Sequence, residues 1–175
     1  MTGARVASVH ASAVLTGNRA VLIRGPSGAG KSRLAFDLIL AGRSGQIPPS
    51  LLVGDDRVHL EARNGQLVVR PARELAGLIE IRGLGIRRCD FAGEAIVGLV
   101  VDLDAPDAER LPPPEALAAR IDGIEIPRIP VGAGHAALPL VIAALTMTAS
   151  SSSDRPSADC SKGIGNHISS TLATE

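Results

Sequence analysis

"RAVLIRGPSGAGKSRLAFDLILAG", residues 19–42, changes its pattern part-way along. Arg19 to Arg24 is a short aliphatic and β-branched run of the kind that forms a buried strand. From Lys31 onward, Leu34, Leu38 and Ile39 recur at helical spacing, with Gly42 as the expected stop. Between the two stands GPSGAGKS, Gly25 to Ser32, with the G-x-x-x-x-G-K-S spacing of a phosphate-binding loop. Gly25, Gly28 and Gly30 open backbone angles closed to other residues, so that N–H groups of the loop turn inward around an anion; Pro26, Ser27 and Ala29 complete the cradle. Lys31 supplies a mobile point charge on the loop. Ser32 offers a hydroxyl to magnesium, and the helix N-terminus adds partial positive charge beneath the phosphates. Strand, loop and helix in that order separate such a site from a glycine-rich turn, and they predict an α/β fold.

Composition bounds the rest. The 175-residue chain is 45% apolar, enough for one domain with a substantial core. Its 18 Lys and Arg balance 18 Asp and Glu, so no overall field draws it to nucleic acid or to an anionic membrane. Cys89 and Cys160 have neither metal nor redox spacing, and "MTGARVASVH" holds no apolar stretch of signal-peptide length. The longest apolar runs, residues 95–103 and 138–145, fall short of the roughly 20 residues of a membrane helix. A cytoplasmic protein is expected. There is no Trp or Tyr, and Phe36 and Phe91 are the only phenylalanines; base recognition is expected to be weak, with most nucleotide binding carried by phosphates.

Working outward, "HASAVLTGNRAVLIRG" predicts an antiparallel hairpin about Gly17-Asn18, and residues 43–50 a surface connection. "LLVGDD" predicts a buried strand ending in Asp55 and Asp56, followed by a second hairpin turning at Asn64-Gly65. "EAIVGLVVDLD" reads as the central strand; Asp102 and Asp104 at its end rival the first aspartate pair as metal carboxylates. Residues 104–121 read as a Pro-rich connection with a short helix, the segment beginning "EIPRIPV" at Glu125 as an edge-type strand, and the last apolar segment as a helix tolerating Pro139 near its start. The domain is set at residues 1–147, and the Ser-rich, non-periodic segment 148–175 reads as a disordered tail.

A site that transfers phosphoryl groups needs magnesium, a carboxylate to hold it, and a group that orients or deprotonates the attacking oxygen. His10 before the first hairpin, "GPSGAGKS", "LLVGDDRV" and above all "EIRGLGI" (Glu80 to Ile86) together resemble the catalytic domain of the HPr kinase/phosphorylase family, over roughly residues 5 to 145. The resemblance implies a single phosphate-loop domain related to phosphoenolpyruvate carboxykinase, in the short form without the family's usual N-terminal domain. It implies an ATP- and magnesium-dependent kinase acting on a serine of the phosphocarrier HPr, assembled as a homo-oligomer, a hexamer in the family.

Carried over by position, Gly25 to Ser32 bind the nucleotide, with Lys31 on the β- and γ-phosphates and Ser32 and Glu80 on magnesium. Asp56, with Asp55 beside it, accepts the seryl proton, and His10 and Arg110 join the active site. Arg82, Arg87 and Arg88 are further candidates for clamping a phosphoryl group or meeting an acidic partner. One departure has a chemical consequence. Where the family has V-x-x-G-R-N, associated with dephosphorylation by phosphorolysis, this chain has "VGAGHA", with His135 in the arginine's place. A guanidinium fork becomes a titratable ring, so the reverse reaction is expected to suffer more than the forward one. The alternatives are another small-molecule kinase, or a nucleotide-binding sensor that has lost catalysis; no N-K-x-D guanine motif and no L-S-G-G-Q transporter signature is present.

Overall fold

The computed structural model describes residues 7–148; residues 1–6 and the segment from 149 on, which holds nearly all of the expected tail, lie outside the described residues. In chain order the elements are β1 (Ala7–Val9), β2 (Ser12–Thr16), β3 (Arg19–Arg24), α1 (Lys31–Arg43), β4 (Ser50–Gly54), β5 (Val58–Arg63) and β6 (Gln66–Pro71). There follow β7 (Leu78–Ile81), β8 (Gly85–Arg88), β9 (Ala95–Leu103), β10 (Ala118–Ile121), β11 (Ile124–Val131) and α2 (Ala137–Thr146). This is a mixed α/β fold. Nine strands share one sheet along the path β1-β5-β6-β9-β3-β2-β4, with β11 on β9 and β10 on β11, while β7 and β8 form a separate hairpin.

Strand direction places the chemistry. β9 runs parallel to both β3 and β11, and β2 is antiparallel to β3 and to β4. The C-terminal ends of β3, β4, β9 and β11 therefore open on one edge, where ligands of α/β sheets bind. The segments following those ends are the phosphate loop, the Asp55–Asp56 pair, the connection from Asp104, and the Gly132–Ala136 turn.

Both helices cover one face of the central strands: Leu34, Leu38 and Ile39 of α1 and Val141 of α2 pack with Val21, Ile23, Leu52 and Val101. On the other face Ala20, Leu22, Val53 and Val100 meet Leu60, Leu67 and Val69 of the β5–β6 hairpin and Ile126 of β11. β9 serves both layers through a bulge. Pairing with β3 skips Gly98, since Ala20 faces Val97 and Val21 faces Leu99. One extra residue reverses the alternation of faces, so Ala95 and Val97 enter one core while Leu99, Val101 and Leu103 enter the other. A Cβ at Gly98 would lie 2.7 Å from that of Arg19, so no side chain fits there.

Several local expectations are corrected. Helix α1 does not stop at Gly42. It runs to Arg43 and closes with the Gln46 N–H on Ala41 O (3.0 Å) and the Gly45 N–H on Gly42 O (3.3 Å), with Gly45 left-handed at φ 75. Gly42 is small because Ser50 Oγ would stand 2.7 Å from any Cβ there. The connection 43–50 is not wholly superficial, since Ile47 is buried in the helix-side core. Between β9 and β11 the helical expectation shrinks to a 3₁₀ turn at Pro114–Leu117, after which Ala118–Ile121 form a strand. Pairing with β11 overrides the helix propensity of that Ala-rich stretch. β11 keeps its edge character: β10 pairs only with residues up to Pro127 and β9 only with residues from Arg128, so each residue has one partner strand.

The open edge is tied together by ions. Arg24, the last residue of β3, donates Nε and Nη2 to the two carboxylate oxygens of Asp102 on β9, each at 2.7 Å. Arg128 of β11 donates Nε to Asp102 at 2.5 Å, and its fork holds Asp107 and the Ala116 carbonyl. Burial pushes the Asp102 carboxyl up, but hydrogen bonds from the two guanidinium groups outweigh it and hold it below the usual carboxylate range. Asp102 is therefore a strand clamp rather than a metal carboxylate. Asp102→Asn should cost about 2–3 kcal/mol, less than the roughly 3–5 of a fully buried pair broken on one side. Because the folded pKa lies below the unfolded value of about 3.9, this contribution is complete above that pH and lost as pH falls through the folded value. Urea unfolding at pH 7 and near pH 2 should show the gap between wild type and variant narrowing on acidification.

Candidate active site

The phosphate loop leaves β3 at Gly25, whose φ of 147 no side chain favours and whose Cβ would lie 3.0 Å from Leu103 Cβ and O. Gly28 (φ 82) and Gly30 (φ 97) carry the chain around to α1. Gly30 is the helix N-cap and no side chain caps the first turn, which leaves its N–H groups for an anion. Lys31 is not the mobile surface cation expected. The residue is 6% exposed, and its ammonium donates to the carbonyls of Gly25 (3.0 Å) and Pro26 (2.9 Å), so it also braces the loop from within.

Beyond Gly54 the strand geometry ends, and Asp56 takes a left-handed conformation at φ 64, which aspartate tolerates better than most residues. This turn sends the paired carboxylates to different places. Asp55 is 4% exposed and accepts three hydrogen bonds: Ser12 Oγ (2.5 Å) and Ser32 Oγ (2.9 Å) on Oδ1, and the Glu80 N–H (3.1 Å) on Oδ2. Asp56 is exposed, with its Oδ1 3.2 Å from Nε2 of a half-exposed His10. The two roles thus fall on different residues: one carboxylate is buried and fixed, the other reachable by a second molecule.

Glu80 reaches the centre through its backbone, which anchors β7 to Asp55, while its side chain stays exposed. Arg82, Arg87 and Arg88 are exposed on the β7–β8 hairpin. Arg110 is exposed in the connection after β9 and forms no hydrogen bond or ion pair among the described residues. His135 is exposed in the turn after β11, on the edge that carries the loop, with Nδ1 3.2 Å from the Ala133 carbonyl. Asp104, left-handed at φ 54, is exposed at the end of β9. Among the described residues no three His, Cys, Asp or Glu side chains converge as a metal site. The hydroxyl and carboxylate oxygens of Ser32 and Asp55 nevertheless suit a small hard cation that takes much of its shell from phosphate and water. Sequence reasoning missed Ser12, a buried serine in a strand with no motif to mark it, whose partner lies 43 residues away.

Residues 2–154 match the family described as HPr Serine kinase C-terminal domain. The chain belongs to that family. Among HPr kinase relatives, it is 32% identical to the HPr kinase/phosphorylase of Mycoplasma mycoides over 153 residues, 79% of this chain and 47% of that protein. It is 36% identical to the HPr kinase/phosphorylase of Enterococcus faecalis over 157 residues, 81% of this chain and 48% of that one. The solved structure of the Hpr(Ser) kinase/phosphatase from Coxiella burnetii superposes with a TM-score of 0.63 at 30% identity, covering 79% of this chain and 93% of its own. The chain spans about half the length of these two curated HPr kinase relatives. No helix among the described residues is long and apolar enough to cross a membrane.

Proposed function

We propose that this chain is the catalytic domain of a cytoplasmic, ATP- and magnesium-dependent kinase that phosphorylates a serine of an HPr-type phosphocarrier protein. The observation that carries this reading is Asp55, whose carboxylate joins the phosphate-loop hydroxyl of Ser32 to the first residue of "EIRGLGI", Glu80. In this reading residues 1–147 form a phosphate-loop core of the phosphoenolpyruvate carboxykinase type. Gly25 to Ser32 wrap the β- and γ-phosphates, and Lys31 turns from the Gly25 and Pro26 carbonyls toward them. Ser32 and Glu80 would hold magnesium, with Asp55 fixing the Ser32 hydroxyl and the Glu80 backbone; the bound ion would supply charge neutralisation to the phosphates. Asp56, exposed beside His10, accepts the seryl hydroxyl and orients it in line with the phosphoryl group. A carboxylate is a weak base toward an alcohol, so its contribution is mostly positioning with late proton acceptance. Arg110, on the connection after β9, and the arginines of the β7–β8 hairpin are exposed and so open to a protein acceptor.

The same site runs backward when inorganic phosphate attacks phosphoserine, and there His135 lacks the fixed guanidinium fork. His135→Arg should raise phosphorolysis relative to kinase activity by about 10- to 100-fold, as expected from a regained charge-assisted contact of roughly 1.5–3 kcal/mol. Pyrophosphate release from phosphorylated acceptor plus inorganic phosphate measures it; equal rates in variant and wild type would remove His135 from the reverse reaction. Assembly as a homo-oligomer, a hexamer by family, belongs to the same reading.

The whole reading is tested by incubation with γ-labelled ATP and magnesium, with and without an HPr-type protein. Label is expected on that protein only. Label on a metabolite, or bound nucleotide with no transfer at all, would replace the reading by a small-molecule kinase or a sensor.

A further inference from the structure

Ser12 lies on β2, fully buried, and its hydroxyl donates to the same Asp55 oxygen that Ser32 uses, at 2.5 Å against 2.9 Å. Both donors are on the carboxylate's Oδ1, and the Glu80 N–H holds Oδ2. A carboxylate's terminal torsion is broad, so its direction is set by the bonds it receives rather than by rotamer preference. Of the three donors, two belong to elements that meet the nucleotide in the proposed function: Ser32 opens α1 at the phosphate loop, and Glu80 opens the "EIRGLGI" segment. Ser12 stands apart from both. It is the first residue of β2, in register with Ile23 of β3, so its position is set by the sheet.

Resting on the proposed function, we infer that Ser12 is a positioning residue for the magnesium–nucleotide site. It fixes the plane of the Asp55 carboxylate, so that Ser32 gives its proton to Oδ1 and keeps its oxygen lone pairs directed at a divalent cation. Without Ser12 the carboxylate keeps only the two donors on the ligand-facing elements, and none from the main sheet.

The consequence is specific to the metal. Phosphates held by backbone N–H groups and Lys31 do not depend on Asp55, so nucleotide binding without a divalent ion should be unaffected by Ser12→Ala. The gain in affinity on adding a divalent ion should fall by about 10-fold, as for loss of one hydrogen bond to a charged group. Ser12→Thr keeps the hydroxyl donor and should restore most of that gain.

The test uses the full chain, ADP and manganese, with free manganese followed by its electron paramagnetic resonance signal and ADP binding by calorimetry with and without the metal. Thermal unfolding of each variant is recorded alongside. The inference is upheld if Ser12→Ala loses the manganese-dependent part of ADP affinity, keeps the metal-free part, and Ser12→Thr recovers the former. It is overturned if the metal-dependent gain in Ser12→Ala stays within about 2-fold of wild type, or if both parts fall together with early melting, which is a packing effect. A wild type that binds ADP with no dependence on metal overturns the proposed function itself, and the inference with it.

Discussion

Lys31→Ala is expected to reduce phosphoryl transfer by about 10³-fold or more, on the scale of removing a cation that stabilises the transferring phosphoryl group. The loss is electrostatic. In the loose transition state charge moves toward the leaving β-phosphate oxygen while the transferring group's charge is spread over its equatorial oxygens, and a desolvated ammonium reached from a 6% exposed position acts there with little solvent screening. The substitution has a second effect. The ammonium ties Gly25 and Pro26 together, and its removal leaves two loop carbonyls without their donor, so a stability loss of about 1–2 kcal/mol should accompany the lost activity. Single-turnover transfer from γ-labelled ATP, with urea unfolding on the same preparation, separates the two. Near-normal transfer by a folded Lys31→Ala would take the loop out of the mechanism.

Asp56→Asn should lower transfer by about 10²- to 10⁴-fold, the range for a positioned general base, with ATP affinity retained. The amide keeps the shape and the left-handed turn, which asparagine also tolerates, so fold and phosphate loop should be untouched. Asp55→Asn should behave differently: one of its two side-chain atoms becomes an NH₂ donor facing either the Ser12 and Ser32 hydroxyls or the Glu80 N–H, so metal-dependent nucleotide binding suffers along with transfer. Steady-state rates and nucleotide affinities of the two variants read the contrast. Unchanged transfer in Asp56→Asn would reverse the division of labour between the two aspartates.

What could be read in the sequence was local. GPSGAGKS, the Gly17-Asn18 and Asn64-Gly65 turns and the apolar run of β9 each carry their reason within a few residues, and all stand where expected. The misreadings are non-local. Asp102 looked like a metal carboxylate because its guanidinium partners lie 78 and 26 residues away. Gly42 looked like a helix stop, yet Ser50 in the next strand is what keeps it small. The Asp55–Asp56 pair announced itself, but the backbone turn at Asp56 and the hydroxyl of Ser12 decide which carboxylate is fixed and which is free. Neither leaves a mark in composition or periodicity.

The central claim is that the Asp55-centred edge transfers the γ-phosphoryl group of ATP to a seryl hydroxyl of a protein. The most direct measurement maps the labelled position on an HPr-type acceptor after incubation with this chain, magnesium and γ-labelled ATP, by tandem mass spectrometry. The account predicts a single phosphoserine, absent when that serine is replaced by alanine and absent with Lys31→Ala. Label on a histidine or aspartate of the acceptor, or labelled inorganic phosphate with an unmodified acceptor, would contradict it.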